Sequence, residues 1–170
     1  MPKVIENVRE QLLEEVRRQI VERGYAETTV RSVAGACGLG VGTVYNYFKS
    51  KDMLIATVVA EDWKRCTDRF KNSSPKGAEE TVRLIYDMLR TFEAEHEALF
   101  TDPEAAKKFS SIFTERHGLL RGQIAKFLLP VCKNGDDPEF LSQFIAESLL
   151  TWGTAGVPFE KLYTILKKLI

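Results

Sequence analysis

The sequence lacks the features that mark secreted, membrane-spanning and metal-binding proteins. Its 170 residues include only three cysteines, Cys37, Cys66 and Cys132, which are far apart and form no Cys-x-x-Cys pair. This spacing argues against a disulfide framework or a zinc site and favours small buried thiols in a reducing compartment. The first fifteen residues are rich in charge, and no apolar run approaches the roughly 20 residues of a membrane span. We therefore expect a cytoplasmic protein with no membrane partner.

An excess of charge of one sign is also missing. Lys and Arg together number 24, Asp and Glu together number 24, and the formal net charge is zero. Taken alone, zero charge argues against nucleic-acid binding, because nucleic-acid binders often carry a basic excess. Between Thr28 and Lys51, however, the ionisable side chains are Arg31, Lys49 and Lys51, with no acid among them. An acid-free basic stretch is a local electrostatic footprint, although three charges are a weak signal by themselves.

The sequence contains no recognisable catalytic motif. It contains no Ser/His/Asp or Cys/His constellation and no glycine-rich phosphate loop after a strand. Glu93 and His96 have the i, i+3 spacing of di-iron helical bundles, but such sites need two of these pairs and further glutamates. The sequence therefore predicts no enzyme activity, no metal and no cofactor. A helical enzyme or metal-binding bundle remains the alternative that these two residues leave open.

Apolar residues recur at helical spacing along most of the chain, and no strand pattern is visible. The first amphipathic helix should end near Gly24, and a long helix should start at Ser50, a plausible N-cap. The fold class predicted is all-α, with about nine helices. The remaining helices are expected at about 30–37, 41–48, 79–100, 102–113, 119–128, 138–152 and 158–170.

The stretch from Thr28 to Leu54 has the pattern of a helix-turn-helix. Val33 and Ala34 would face inward, Gly38 would allow a tight turn with positive φ, and Val44 and Phe48 would anchor the second helix. Hydroxyls and amides can form hydrogen bonds with phosphates and base edges, and aromatic edges can contact thymine methyl groups. Such a set is unusual on a helix face that contacts only water. The outer surface of the second helix would then hold Val41, Gly42, Thr43, Tyr45, Asn46 and Tyr47.

This stretch resembles the DNA-binding domain of TetR-family regulators. The resemblance covers about residues 8–54, and beyond it only the length and the helix count agree. Two positions depart from the family pattern: Cys37 stands where Ala is usual, and Gly40 replaces the Ser or Ala that begins the recognition helix. The matching residues are Thr29, Val33-Ala34, Gly38, Gly42-Thr43, Tyr45, Tyr47-Phe48, Ser50-Lys51-Asp52 and Leu54.

The resemblance implies an N-terminal three-helix DNA-binding domain over residues 1–50 and a helical ligand-binding and dimerisation domain over residues 51–170. By position, Tyr45 and the Val41-Gly42 edge would meet bases, and Asn46 could contact a base or a phosphate. The residues expected to hold phosphates are Thr29, Thr43, Tyr47 and Lys51, and Thr28 completes the predicted interface.

The larger domain is rich in aromatic residues, which suit an apolar ligand cavity between helices. The predicted ligand-binding residues are Trp63, Tyr86, Phe92, His96, Phe109, Phe113 and Phe127. Plain core packing is the alternative for each of them. The two C-terminal helices carry apolar residues on more than one face, which favours a homodimer over an internal hairpin. In the TetR family these helices build a four-helix dimer interface.

Together these features predict a sequence-specific transcriptional regulator that binds double-stranded DNA as a homodimer. We expect a repressor that a small apolar or amphipathic ligand releases from a palindromic operator. Two alternatives stay open. One is the helical metal-binding or enzymatic bundle. The other is a protein-interaction module that kept the fold without DNA binding, for which Gly40 and the neutral charge leave room.

Overall fold

The computed structural model describes residues 7–133 and 136–170, with the backbone alone over residues 110–116. In this range it contains helices and no strand, which confirms the all-α prediction. A 3-10 turn at Leu129–Val131 follows the seventh α-helix, and a π-helical turn at Leu149–Gly153 follows the eighth. The α-helices of the described residues are α1 (Val8–Glu27), α2 (Val30–Ala36), α3 (Val41–Tyr47), α4 (Lys51–Lys71), α5 (Gly77–Glu95), α6 (Glu97–Phe100), α7 (Pro103–Leu128), α8 (Pro138–Ser148) and α9 (Phe159–Leu166).

Helix α1 is interrupted at Gly24, where the sequence predicts its end. Gly24 has φ 79° and ψ 179°, a backbone conformation that is essentially restricted to glycine. The chain therefore changes direction here, and the next residue, Tyr25, turns into the core. A short segment follows this kink and leads into α2.

The predicted helix over residues 79–100 is two helices in the structure. Helix α5 ends at Glu95, and α6 begins at Glu97 after His96, whose φ of −116° and ψ of 11° are not helical. His96 is buried, and its Nε2 lies 3.2 Å from Oδ2 of the buried Asp62. The break coincides with this long-range contact rather than with a glycine or proline.

The two helices predicted at 102–113 and 119–128 are one continuous helix, α7. Asp102 caps its start, because Oδ1 accepts hydrogen bonds from the backbone N–H groups of Glu104 and Ala105, both at 2.9 Å. Gly118, which divides the two predicted helices, lies inside α7 on an exposed face. A single glycine costs a helix about 1 kcal/mol relative to alanine, which is too little to end it.

The C-terminal helices differ from the prediction mainly in their ends. Oδ1 of Asp137 accepts a hydrogen bond from the N–H of Phe140 and caps α8, which passes into the π-helical turn. Helix α9 is shorter than the predicted 158–170 segment. In the π-helical turn Gly153 is buried, and a Cβ at this position would lie 3.4 Å from Cδ2 of Tyr86. The Tyr86 ring therefore packs directly against the backbone of this turn.

The chain divides into two compact units, each with its own hydrophobic core. Unit 1 comprises the residues up to Lys64 together with His96–Phe109, and unit 2 comprises Arg65–Glu95 and Ser110–Ile170. The assignment of separate roles to residues 1–50 and 51–170 stays a prediction. Fully buried apolar side chains include Leu12, Leu13, Val16, Val44 and Ile55 in unit 1 and Val82, Ile85, Ile124, Leu128, Ile145 and Leu149 in unit 2.

Cys66 and Cys132 are buried, Cys37 is half-buried, and all three are free thiols. Among the described helices, none combines the length and the apolar character that crossing a bilayer requires.

Candidate nucleic-acid interface

Helix α2 starts at a capping box built from Thr29 and Ser32. Oγ1 of Thr29 accepts a hydrogen bond from the N–H of Ser32 at 3.0 Å, and Oγ of Ser32 accepts one from the N–H of Thr29 at 2.9 Å. Two N–H groups that would otherwise be unsatisfied are thereby paired. The hydroxyl of Ser32 also donates to Oε1 of the buried Gln19 at 2.6 Å, so α2 is fixed to α1 at its first turn.

The turn between α2 and α3 has the geometry that the sequence predicts. Gly38 has a φ of 66°, in the left-handed region that favours glycine. The N–H of Leu39 donates to the carbonyl of Ala34 at 2.8 Å, which closes the turn, and the Leu39 side chain is half-buried. Gly40 precedes α3 in an extended conformation and supplies no side-chain cap.

Two side chains anchor α3 and fix which face it exposes. Val44 and Phe48, four residues apart, are buried in unit 1, as predicted. On the other side Tyr45 and Tyr47 are 46% and 49% exposed, so two large aromatic rings lie at the surface of a helix of two turns. Gly42 and Asn46 are also exposed, and Val41 and Thr43 are half-buried. The six residues predicted for the outer surface of α3 thus lie on one accessible helix, which we call the recognition surface.

Thr28 lies apart from this surface. Its side chain is buried, and Oγ1 donates a hydrogen bond to the carbonyl of Gly24 at 2.7 Å. The hydroxyl therefore stabilises the turn after the kink in α1. A DNA contact at this position could come only from the main chain, and we leave Thr28 out of the interface proposed below.

Arg31 and Lys49 are two exposed cations to which the sequence pattern assigns charge but no particular contact. Arg31 lies on α2, and Lys49 follows α3. Neither has a hydrogen-bond or ion-pair partner in the part of the chain that the structure describes. The signal that could have identified them is the acid-free stretch itself, because unpaired cations beside the recognition surface are suited to phosphate binding.

Lys51, which the resemblance assigns to a phosphate, has partners within the protein. Its Nζ donates a hydrogen bond to the carbonyl of Tyr25 at 2.5 Å and lies 3.8 Å from the centroid of the Tyr25 ring. The Tyr25 hydroxyl donates to Oδ1 of Asp52 at 2.6 Å. Burial and then this hydrogen bond raise the pKa of the Tyr25 hydroxyl, so it stays protonated and donates. We call Tyr25, Lys51 and Asp52 the α1–α4 joint.

Three of the predicted ligand-binding residues, Trp63, His96 and Phe109, are buried in unit 1. Phe109 meets the Tyr25 ring edge-on, with centroids 6.0 Å apart. His96 contacts Asp62, and its ring stacks on Phe100 with centroids 5.8 Å apart. These contacts are those of a packed core, and a ligand role for the three residues stays a prediction.

The other predicted ligand-binding residues belong to unit 2. The Tyr86 hydroxyl donates to the carbonyl of Val157 at 2.9 Å, Phe92 is buried, and Phe127 stacks on Phe70 with centroids 4.4 Å apart. The Phe113 side chain lies outside the described residues. A ligand role for these four residues therefore also stays a prediction.

Glu93 and His96, the pair behind the metal-binding alternative, have different partners. Oε2 of Glu93 accepts a hydrogen bond from Arg90 at 2.5 Å, whereas His96 contacts Asp62. Within residues 7–133 and 136–170, excluding the side chains of 110–116, no three His, Cys, Asp or Glu side chains are grouped as metal ligands.

The C-terminal helices expose a set of large apolar side chains in unit 2. Phe140 and Trp152 are 67% and 57% exposed, and the rings of Phe140 and Phe144 lie 6.5 Å apart. Contiguous patches of exposed hydrocarbon are typical of sites where proteins associate. We call this set, Phe140, Phe144, Trp152, Ile165 and Leu169, the C-terminal apolar surface.

Taken together, a capped first helix, a glycine turn and a second helix with buried anchors and a polar, aromatic outer face define a helix-turn-helix protein of the DNA-binding class. Residues 12–58 match the family described as "Bacterial regulatory proteins, tetR family". This match covers most of α1, all of α2 and α3 and the first two turns of α4, so it includes the whole helix-turn-helix.

Similar proteins extend this match beyond the helix-turn-helix. The HTH-type transcriptional regulator PksA of Bacillus subtilis is 30% identical over 131 residues, which are 72% of this chain and 64% of PksA. The HTH-type transcriptional repressor AcnR of Corynebacterium efficiens is 31% identical over 110 residues, 61% of this chain and 57% of AcnR. The chain therefore spans less than two thirds of either relative.

A solved structure of a transcriptional regulator from Aquifex aeolicus VF5 shares the fold over nearly the whole chain. The TM-score is 0.65 at 25% identity, and the likeness covers 95% of this chain and 99% of that one. Residues 12–58 thus form a DNA-binding domain of the TetR family, and the chain as a whole is similar to regulators of that family. These likenesses favour a regulator over the helical enzyme or metal-binding bundle.

Proposed function

We propose that this protein is a sequence-specific, DNA-binding transcriptional regulator. The observation that carries the proposal is the recognition surface, which projects from a helix whose opposite side is fixed by Val44 and Phe48. Tyr45, with the Val41-Gly42 edge, would contact bases in the major groove, and Asn46 would contact a base or a phosphate. Thr29, Thr43 and Tyr47 would hold phosphates through their hydroxyls, and Lys51 through its ammonium group.

The local charge supports this role in a chain of zero net charge. From residue 28 to residue 50 the ionisable groups with charge at neutral pH are Arg31 and Lys49, both exposed. Each would add a phosphate contact, and each contact releases counterions and makes binding dependent on salt. The rest of the chain carries a formal net charge of −2, which offsets these two cations in the total without opposing a local contact with DNA.

The regulator would act as a homodimer through the C-terminal apolar surface. Two copies of one surface related by a two-fold axis bury each other's hydrocarbon. A two-fold protein recognises a palindromic operator, with half-sites separated by about 10–10.5 base pairs or a multiple of that distance. Binding to the chromosome would place the protein in the cytoplasm.

Repression is the mode of action that we favour, since AcnR is described as a repressor. An effector that prefers one conformation of the dimer would shift the population away from the form that binds the operator. The density of buried aromatic residues supports an apolar or amphipathic small molecule as effector. Its candidate contacts remain Trp63, Tyr86, Phe92, His96, Phe109, Phe113 and Phe127.

Selection of bound sequences from a pool of random duplexes tests the proposal. We expect enrichment of a palindromic sequence and a preference for it over scrambled duplex of at least about 1,000-fold, as is typical of specific binders. The control is the Tyr45→Ala, Tyr47→Ala double variant, which should enrich no sequence while keeping its helical circular dichroism. Failure of the wild-type protein to enrich any sequence would contradict the proposal and favour the protein-interaction module instead.

A further inference from the structure

We propose that Tyr86 and Arg90 of α5 are positioning residues for the homodimer, because they hold the π-helical turn that brings Trp152 into line with Phe140 and Phe144. The inference rests on the proposed function, since it takes the C-terminal apolar surface to meet a second copy of this chain. It adds the feature that makes this surface continuous, which is a local change in helix geometry. All five residues belong to unit 2.

An unbroken α-helix would turn Trp152 away from the two phenylalanines. Because an α-helix rotates by about 100° per residue, Phe140 and Phe144 lie roughly 40° apart on one face of α8. Continued to Trp152, the same geometry would place that ring about 80° further round than Phe144. The hydrogen bonds of a π-helical turn span five residues, so the turn at Leu149–Gly153 rotates less per residue. It therefore brings Trp152 back toward the face of Phe144.

The exposure of the side chains fits this alignment. Phe140, Phe144 and Trp152 are all exposed, whereas Gly153, the next residue in the turn, is buried. The turn thus directs Trp152 outward and Gly153 inward. Tryptophan is enriched among the residues that dominate the binding energy of protein interfaces. We therefore expect Trp152 to contribute strongly to association.

Tyr86 holds the turn from its buried side. The N–H of Val157 donates to the carbonyl of Trp152 at 3.0 Å, and the carbonyl of Val157 accepts a hydrogen bond from the Tyr86 hydroxyl at 2.9 Å. The Tyr86 ring packs against the backbone of Gly153 and meets the buried Phe159 edge-on, with centroids 5.6 Å apart. Tyr86 thereby connects the turn to the first residue of α9.

Arg90 holds the main chain one turn further along α5. Its Nη1 donates to the carbonyl of Thr154, the residue after the π-helical turn, at 3.1 Å. The same atom donates to Oε2 of Glu93 at 2.5 Å, which fixes the guanidinium group on its own helix. Tyr86 and Arg90 are four residues apart and share one face of α5. Each binds a backbone carbonyl beyond Trp152, so together they fix the direction in which Trp152 leaves the turn.

The charge on this face of α8 favours a second copy of the chain as the partner. Glu147 lies on the same face as Phe140, about 20° away around the helix. Nε2 of His117 lies 2.9 Å from Oε1 of Glu147, and Nη1 of Arg121 lies 3.5 Å from its Oε2. The carboxylate is therefore compensated within the subunit. A two-fold axis brings identical surfaces together, and an uncompensated charge there would repel its own copy.

A double-mutant cycle on the dimer dissociation constant tests the proposal, with fluorescence-detected sedimentation over a dilution series. Trp152→Ala should raise the constant about 30-fold, as expected for a tryptophan that dominates an interface. Tyr86→Phe, which removes only the hydrogen bond to Val157, should raise it about tenfold. In the Trp152→Ala background Tyr86→Phe should change it little, because Tyr86 acts through the position of Trp152.

Two matched variants separate positioning from a loss of stability. Tyr163→Phe removes the hydroxyl of another half-buried tyrosine, which forms no hydrogen bond with the described residues, and should leave the dissociation constant unchanged. Ile124→Val shortens a buried side chain of α7 and should lower the stability of the subunit about as much as Tyr86→Phe, again without changing the dissociation constant. An equal rise for Ile124→Val would show that Tyr86 contributes stability alone.

Quenching of tryptophan fluorescence by acrylamide reports the position of Trp152 separately. Trp63 is buried, so accessible quenching comes mainly from Trp152, and the Trp152→Phe variant gives the remainder. Formation of the wild-type dimer should reduce the quenching. Tyr86→Phe should quench more than the wild type when both are fully dimeric. Equal quenching of the two dimers would contradict a role for Tyr86 in placing Trp152.

The other outcomes are equally decisive. Additive effects in the double-mutant cycle would refute the positioning role, and a Trp152→Ala variant that dimerises like the wild type would place Trp152 outside the interface. If Tyr86→Phe does not fold, Arg90→Met tests the same turn through Thr154, with the same lack of additivity expected.

These measurements need no DNA, so they distinguish this inference from the proposed function. A dimer that depends on Trp152 and Tyr86 but enriches no DNA sequence would support the inference and refute the regulator. A protein that selects an operator but whose dimer is unaffected by Tyr86→Phe would refute the inference alone. A wild-type protein that stays monomeric throughout the dilution series would refute the inference together with the homodimer.

Discussion

Among the described residues, large aromatic side chains are exposed at two places, and the chemistry of the two sets differs. On the recognition surface the exposed aromatics are Tyr45 and Tyr47, which carry hydroxyls and stand beside an exposed amide, Asn46. On the C-terminal apolar surface they are phenylalanine and tryptophan, accompanied by Ile165 and Leu169. By exposure alone, both sets would be described as exposed aromatic surfaces with no difference between them. The polar atoms distinguish them.

The difference indicates different partners. A surface of hydroxyls, an amide and a glycine can form hydrogen bonds with phosphates and base edges and lie close to a duplex. A surface of hydrocarbon gains stability only by exclusion of water, which favours another protein surface of the same kind. The first set therefore belongs to DNA and the second to the partner subunit in our proposal.

The largest expected effect comes from placing a charge on the C-terminal apolar surface. Phe144→Asp should raise the dissociation constant of the dimer by about 100-fold or more, because a buried unpaired carboxylate would face hydrocarbon. Sedimentation at micromolar concentration should show the 19.3 kDa monomer in place of twice that mass. Operator affinity should fall with it, since a monomer engages one half-site.

The matched control for this variant is Val21→Asp. Val21 is also an exposed apolar residue, with 69% of its surface accessible, but it lies on α1, outside the C-terminal apolar surface. This variant should sediment like the wild-type protein. A wild-type protein that sediments as a monomer, or a Phe144→Asp variant that remains dimeric, would refute the assignment of this surface to the partner subunit.

A smaller effect is expected from Tyr45→Ala on the recognition surface. The substitution should cost about 1–3 kcal/mol of operator binding and relax the preference at one or two base positions. Quantitative competition with single-base operator variants measures both quantities. The sedimentation of this variant should match the wild type, because Tyr45 takes no part in the apolar surface. Uniform weakening across all operator variants would instead indicate a phosphate contact.

The smallest effect should come from removing one hydroxyl. Tyr47→Phe keeps the ring and should weaken operator binding by about 0.5–1.5 kcal/mol, the usual contribution of one hydrogen bond. The corresponding change on the other surface, Phe144→Tyr, should leave operator binding within experimental error. Calorimetric titration of the operator distinguishes these outcomes. Equal affinity of Tyr47→Phe and wild type would argue that the ring, rather than the hydroxyl, contacts DNA.

Local signals predicted the helix-turn-helix well. The expected helices at 30–37 and 41–48 match α2 and α3 to within one residue. The reason is that the signals used are close in sequence: a glycine suited to positive φ and two anchors four residues apart. Burial of Val44 and Phe48 then fixed the exposed face of α3 without reference to the rest of the chain.

Features that depend on distant residues could not be predicted in this way. The break at His96 contains neither glycine nor proline, and it accompanies a contact with Asp62, 34 residues earlier. The hydrogen bond from Lys51 to the carbonyl of Tyr25, 26 residues earlier, is likewise absent from the local pattern. The two helices expected at 102–113 and 119–128 are a single helix, because α7 continues through the residues between them.

Backbone hydrogen exchange, compared between the free protein and its complex with the selected operator, tests the assignment of the two surfaces most directly. We predict slower exchange over Val30–Tyr47 on addition of DNA and no DNA-dependent change over 138–166 while the dimer persists. Unchanged exchange in α2 and α3, or protection by DNA confined to the C-terminal helices, would contradict this assignment.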